Sequence, residues 1–172
     1  VEIYSIDEAF LNLSDMNVDL EELSKNILTT VKQNTGIPVS IGIGPTKTLA
    51  KIANKAAKLT GGIFIIKNDR QRDTIIRNTP IEKGWGIGRQ YSKLLIRNGV
   101  KTAFDFAELD NNWLKTKMKV IGVRIKKELL GEPCIPLELI IPAKKAILFV
   151  GKAAGRIPPN FQLDTIEDKA YL

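Results

Sequence analysis

The hydrophobic positions change period along the chain. Val1, Ile3, Ile6, Phe10, Leu11 and Leu13 give a strand-like run over residues 1–13, or two short strands around Asp7-Glu8. Leu20, Leu23, Ile27, Leu28 and Val31 then recur at three- and four-residue spacing, which predicts a helix from Asp19 to about Asn34. Asp19 is its candidate N-cap, Glu21 and Glu22 suit its first turn, and Gly36 ends it. Val39 to Ile43 reads as a short strand, Thr46 to Lys58 as a helix closed by Gly61-Gly62, Ile63 to Ile66 as a strand, and Asp69 to Asn78 as a short charged helix. From Thr79 onward the pattern becomes short helices separated by Gly-containing turns. These elements predict an α+β chain in three parts: residues 1–79, a small all-helical module over 80–135, and a tail over 136–172. Gly151, Gly155, Pro158 and Pro159 in the tail predict little stable structure there.

Asp7 and Glu8 interrupt the first strand pattern. Two adjacent acids oppose strand propensity, so they are expected at a bend or strand end, where both can reach one site. There they have the oxygen chemistry that a hard divalent cation needs. A hairpin turn carrying two solvated acids explains them equally well.

Charge distribution adds to this picture. Residues 1–24 hold seven acids and no Lys or Arg, which leaves 26 basic against 12 acidic residues in the rest. An acidic head on a basic body points to a cation site beside a polyanion-binding surface. The 44% hydrophobic content supports a globular core. The absence of His excludes Ser-His-Asp catalysis and histidine-ligated zinc, and the single Cys134 excludes an internal disulfide. A reducing, cytoplasmic setting is expected, with no apolar run long enough to span a bilayer. The chain opens on Val1 within a strand pattern, so the natural protein is expected to begin further upstream.

Lys47, Lys51, Lys55 and Lys58 are four, four and three residues apart. On a helix they occupy about 80° of the circumference, opposite Leu49, Ile52, Ala53 and Ala56. Such a ridge can hold a triphosphate or a DNA backbone, or can be an ordinary solvated face. Further on, Trp85-Gly86-Ile87-Gly88-Arg89 has the Gly-hydrophobic-Gly turn that exposes backbone N–H groups at a helix start. Arg89 and Lys93 add charge there. A weaker turn runs through Val120-Ile121-Gly122-Val123-Arg124. These patterns make Gly86, Ile87, Gly88, Arg89, Lys93, Gly122 and Arg124 the candidate DNA-binding residues.

Tyr4-Ser5-Ile6-Asp7-Glu8-Ala9-Phe10, with Gly36-Ile37-Pro38-Val39-Ser40-Ile41-Gly42-Ile43-Gly44-Pro45-Thr46-Lys47 and Leu49 to Lys58, resembles the palm of a Y-family translesion DNA polymerase of the UmuC/DinB group. The resemblance runs from Val1 to about Leu139. It implies a partial ferredoxin-like palm, with the strand before the lysine helix in the same sheet as Asp7, followed by a helix-hairpin-helix thumb. It also implies error-prone, DNA-directed synthesis in DNA repair and the SOS response to damage. By this resemblance Asp7 and Glu8 are catalytic and bind Mg2+, Lys58 and Lys51 hold the nucleotide's phosphates, and the hairpins grip the primer-template. Deoxynucleoside triphosphates are the substrates, and a sliding clamp or accessory SOS proteins are partners of the full-length enzyme. The family's upstream aspartate and fingers are not in this sequence, so the chain alone is expected to be inactive. Two other readings stand beside this one: a non-catalytic DNA-binding module, and a palm-fold nucleotide cyclase.

Overall fold

Asp19 starts the first helix as the sequence predicts. The computed structural model, which describes residues 1–138, places α1 at Leu20–Thr35. The Asp19 carboxylate accepts the N–H groups of Glu21 and Glu22 at 2.8 and 3.0 Å. Gly36 closes the helix at φ 73°, a left-handed conformation in which glycine avoids a Cβ clash. The apolar stripe of α1 is only half-buried and rests on a strand further along, Ile63–Ile65.

The strands pair in two separate sheets. β1 (Glu2–Ile3) and β2 (Ala9–Phe10) form an antiparallel hairpin, with Glu2 opposite Phe10 and Ile3 opposite Ala9. β3 (Ile41–Ile43) and β4 (Ile63–Ile65) run parallel, joined by the crossover helix α2 (Lys47–Ala57). The expectation that Asp7 shares a sheet with the strand preceding the lysine helix is therefore corrected. The hairpin is attached to α2 through side chains, not through a backbone ladder. Between β3 and α2 the packing is unusually close. A Cβ added at Gly42 would come within 1.9 Å of the Asn54 backbone nitrogen. Gly42 therefore serves helix-on-strand packing.

α3 (Asp69–Arg77) follows, capped by the Asn68 side chain. A short 3-10 turn (Ile81–Lys83) leads to α4 (Arg89–Arg97), α5 (Ala103–Ala107) and α6 (Asn111–Leu129). Thr102 and Asp105 form a reciprocal capping box at the start of α5. One buried cluster runs through Leu49, Ile76, Ile81, Leu95, Phe106 and Leu114, so the core is continuous across residue 80. Buried Phe106 and half-buried Phe104 and Trp113 pack on this core. Among the described residues no helix is long and apolar enough to cross a membrane. Most of the tail predicted over 136–172 lies outside the described residues.

Candidate functional site

The hairpin loop Tyr4–Glu8 resolves the conflict between two acids and a strand pattern. Both acids leave the ladder. The Tyr4 and Ser5 N–H groups donate to the Glu8 carbonyl at 2.9 and 3.1 Å, which closes the loop. Ile6 stands fully exposed at its tip. The Asp7 carboxylate accepts the Ser5 hydroxyl at 2.7 Å, and both carboxylates are exposed.

The four lysines of α2 occupy four different environments. Lys47 pairs with Glu2 at 2.7 Å, with both side chains nearly buried, and lies 4.8 Å above the Phe10 ring. Burial alone would raise the Glu2 pKa, but hydrogen bonds from Lys47 and the Glu138 N–H outweigh it and hold the carboxyl below its usual range. Lys51 pairs with Glu8 at 2.7 Å and lies 4.6 Å above the Tyr4 ring. Lys55 is exposed as a residue, but its ammonium donates to the Lys83 carbonyl at 2.6 Å. Burial of that ammonium, then the neighbouring Lys51 and Lys83, push its pKa down. Lys58, the C-cap, is exposed and has no ion pair among the described residues.

Glu8, Lys51, Lys55, Lys58, Trp85 and Gly86 line one open cleft of about 440 Å³. The structure thus brings Lys51 and Lys58 into one cleft with Glu8. Asp7 stands outside the lining, and Lys47 is committed to the hairpin's base.

Beyond the cleft, the turn at residues 86–88 divides its work between two glycines and the residue between them. Gly86 has φ 80°, and an added Cβ would meet the Ile125 side chain at 3.0 Å, so folding itself requires glycine there. The Ile87 side chain is buried in the core. Its assignment as a DNA-contacting residue is corrected to that of an anchor for the turn. Gly88 is the N-cap of α4 at φ −74°, makes no side-chain cap, and faces open space where its Cβ would be. The first-turn amides of α4 are thus uncapped behind an open approach, the arrangement that accepts a phosphate oxygen. Arg89 and Lys93 border the adjoining groove.

The second turn differs from expectation. The chain bends at Lys119 (φ 56°, ψ −147°), while Gly122 is buried inside α6 with its Cβ position 2.7 Å from Met118 Cβ. Gly122 therefore permits close packing and is corrected as a candidate for DNA contact. Arg124 is exposed on the same helix.

Two features escaped sequence reasoning. Glu128 is fully buried, and its carboxylate accepts the N–H groups of Thr48, Cys134 and Ile135 at 3.1, 2.7 and 3.1 Å. It binds the end of α6 to the start of α2. Its place beside Ile125 and Leu129 on the apolar face was the available signal. The other is the Trp85 indole, which donates to the Tyr4 hydroxyl at 2.9 Å.

Asp7 and Glu8 have the oxygen chemistry of hard-cation ligands. As arranged they do not fit a bound cation, because Lys51 already holds Glu8 and Ser5 holds Asp7. Among the described residues no group of three or more His, Cys, Asp or Glu surrounds a common point.

Residues 1–55 match the impB/mucB/samB family. Protein UmuC of Salmonella typhimurium is 43% identical over 155 residues, covering 86% of this chain and 36% of that protein. Protein MucB of Escherichia coli is 33% identical over 161 residues, covering 91% and 38%. DNA polymerase IV of Bacillus velezensis is 32% identical over 133 residues, covering 76% and 32%. The chain spans about a third of the length of the curated relatives it matches. The family match takes in the carboxylate hairpin and α2 as far as Lys55, and over the aligned stretches the chain is similar to Protein UmuC, Protein MucB and DNA polymerase IV.

Proposed function

We propose that this chain forms the nucleotide- and primer-template-holding part of an error-prone DNA-directed DNA polymerase acting in translesion synthesis and repair. One observation carries this reading. Glu8 of the hairpin and Lys51 and Lys58 of α2 share a cleft whose wall continues into the 86–88 turn. A triphosphate needs compensating cations, and the Lys58 ammonium, with no ion pair among the described residues, is available to it. The Gly88 approach gives the α4 amides to a DNA phosphate, and Arg89, Lys93 and Arg124 supply sequence-independent charge. In this reading residues 1–79 are a partial palm and 80–135 a helix-hairpin-helix thumb. Divalent-metal use goes with the polymerase relatives. Magnesium is the proposed ion and Asp7 and Glu8 are the carboxylates that would hold it, although paired with Ser5 and Lys51 they do not fit it as they stand.

The lysine already seated on Glu8 keeps a second reading in view, a DNA-binding module without catalysis. The helical turns leave a nucleotide cyclase without support.

Anisotropy of a labelled primer-template at rising salt tests the proposal. Three phosphate contacts give a log–log slope of about −2.7, or roughly 40-fold weaker binding between about 50 and 200 mM salt. Gly88→Val should weaken binding further with the melting temperature unchanged, since its Cβ meets nothing. Salt-independent affinity, or Gly88→Val binding as wild type, would count against the proposal. A chain that takes duplex but no nucleotide would favour the DNA-binding module.

A further inference from the structure

The hairpin that carries Asp7 and Glu8 has little of its own to hold it. Its ladder is two residue pairs long, and an isolated two-stranded hairpin is at best marginal in water. The loop's position is therefore set by what its side chains touch. Glu8 is held by Lys51 at 2.7 Å. Tyr4 accepts the Trp85 indole N–H at 2.9 Å, and the two rings meet edge to face with centroids 5.7 Å apart. Lys51 joins the two attachments, since its ammonium lies 4.6 Å above the Tyr4 ring and 5.8 Å from that of Trp85. Phe10 completes the cluster, 5.5 Å from Tyr4 and 5.8 Å from Trp85.

Trp85 immediately precedes the 86–88 turn, where Gly86 is left-handed, Ile87 is anchored in the core and Gly88 opens α4. A displacement of that turn by a bound phosphate has a short route to the hairpin, through the indole, the Tyr4 ring and Lys51. We propose that Tyr4 and Trp85 are positioning residues that set the Glu8 carboxylate at the cleft mouth and couple the 86–88 turn to it. The coupling to a bound duplex rests on the DNA-binding reading above. The ligand-free positioning does not.

Amide exchange on the full 172-residue chain tests both parts. Without ligand, Tyr4→Phe removes only the hydroxyl acceptor, and Trp85→Phe removes its donor. Each should speed exchange in residues 2–11 several-fold while α4, α5 and α6 keep wild-type rates. The double variant should add little to either single one, because both break the same bond. At saturating primer-template duplex, the wild-type hairpin should gain protection that Tyr4→Phe does not. A role confined to stability would change exchange in the variants but leave that duplex-induced gain intact.

Wild-type exchange in residues 2–11 of Tyr4→Phe and Trp85→Phe would overturn the positioning. An equal duplex-induced gain in wild type and Tyr4→Phe would overturn the coupling. A wild-type chain that binds no duplex would sink the DNA-binding reading and the coupling with it, while the ligand-free arm would still decide the positioning.

Discussion

Replacing Glu128 should be among the most destabilising single changes in this chain. The carboxylate is fully buried, so by itself it carries a desolvation cost, and an apolar replacement of similar size is sometimes neutral at a buried ion. Here the partners decide otherwise. Three backbone N–H groups point at it, from Thr48 on one oxygen and from Cys134 and Ile135 on the other. Glu128→Leu leaves all three donors unpaired, at about 1–3 kcal/mol each, so the loss should be at least about 3 kcal/mol. Glu128→Gln is more discriminating. Its single carbonyl oxygen can keep the Cys134 and Ile135 bonds, while its amide nitrogen meets the Thr48 N–H donor to donor. One charge-assisted bond is lost and one donor orphaned, about 2 kcal/mol. For a chain of this size that corresponds to a melting temperature lower by about 4–8 °C, with Glu128→Leu lower still. Urea denaturation of the purified chain gives both values. Losses under about 0.5 kcal/mol for both variants would refute the role of Glu128 in joining α6 to α2.

Lys119 occupies a backbone region that favours glycine, so Lys119→Gly should stabilise the chain by about 1 kcal/mol by denaturation, and a loss of stability would contradict the bend. The Lys101 N–H, then the Thr102 N–H and hydroxyl, hold the Asp105 carboxyl below its ordinary 3.8 against the opposing effect of burial. Because the folded pKa is lowered, its stabilisation is fully present above the ordinary 3.8 and is lost as pH falls from there through the folded pKa. The melting-temperature gap between wild type and Asp105→Asn should therefore close below about pH 4, and a gap that widens with acid would refute this sign. Among the described residues only two carboxylates stand at the hairpin loop and one is held by Lys51, so the purified chain should not extend a primer. Template-directed extension by it would contradict that arrangement.

The chain's local signals were legible where the physics is local. Asp19 and Gly36 bound α1 because capping depends on a few neighbouring atoms, and the lysine spacing fixed which residues share a face of α2. The same spacing carried no information on how the four lysines would differ. That depends on where the hairpin docks, which separates buried Lys47 from Lys58. At 86–88 the sequence signalled a glycine turn without separating the structural parts of its two glycines. Only the surroundings show that Gly86 faces Ile125 while Gly88 faces open space. Gly122 looked like a second turn because the bend lies three residues earlier, on a lysine that no turn rule would choose. Sheet pairing was the largest miss, because strands of two or three residues carry too little pattern to specify a partner.

Nucleotide affinity tests the central claim most directly. Isothermal titration of the chain with a magnesium-bound deoxynucleoside triphosphate should show binding. Lys58→Ala should weaken it about tenfold or more, the loss of one charge-assisted contact, with the melting temperature unchanged because Lys58 is exposed and has no ion pair among the described residues. Binding that is undetectable in the wild type, or equal in Lys58→Ala, would contradict the assignment of the α2 cleft to a triphosphate.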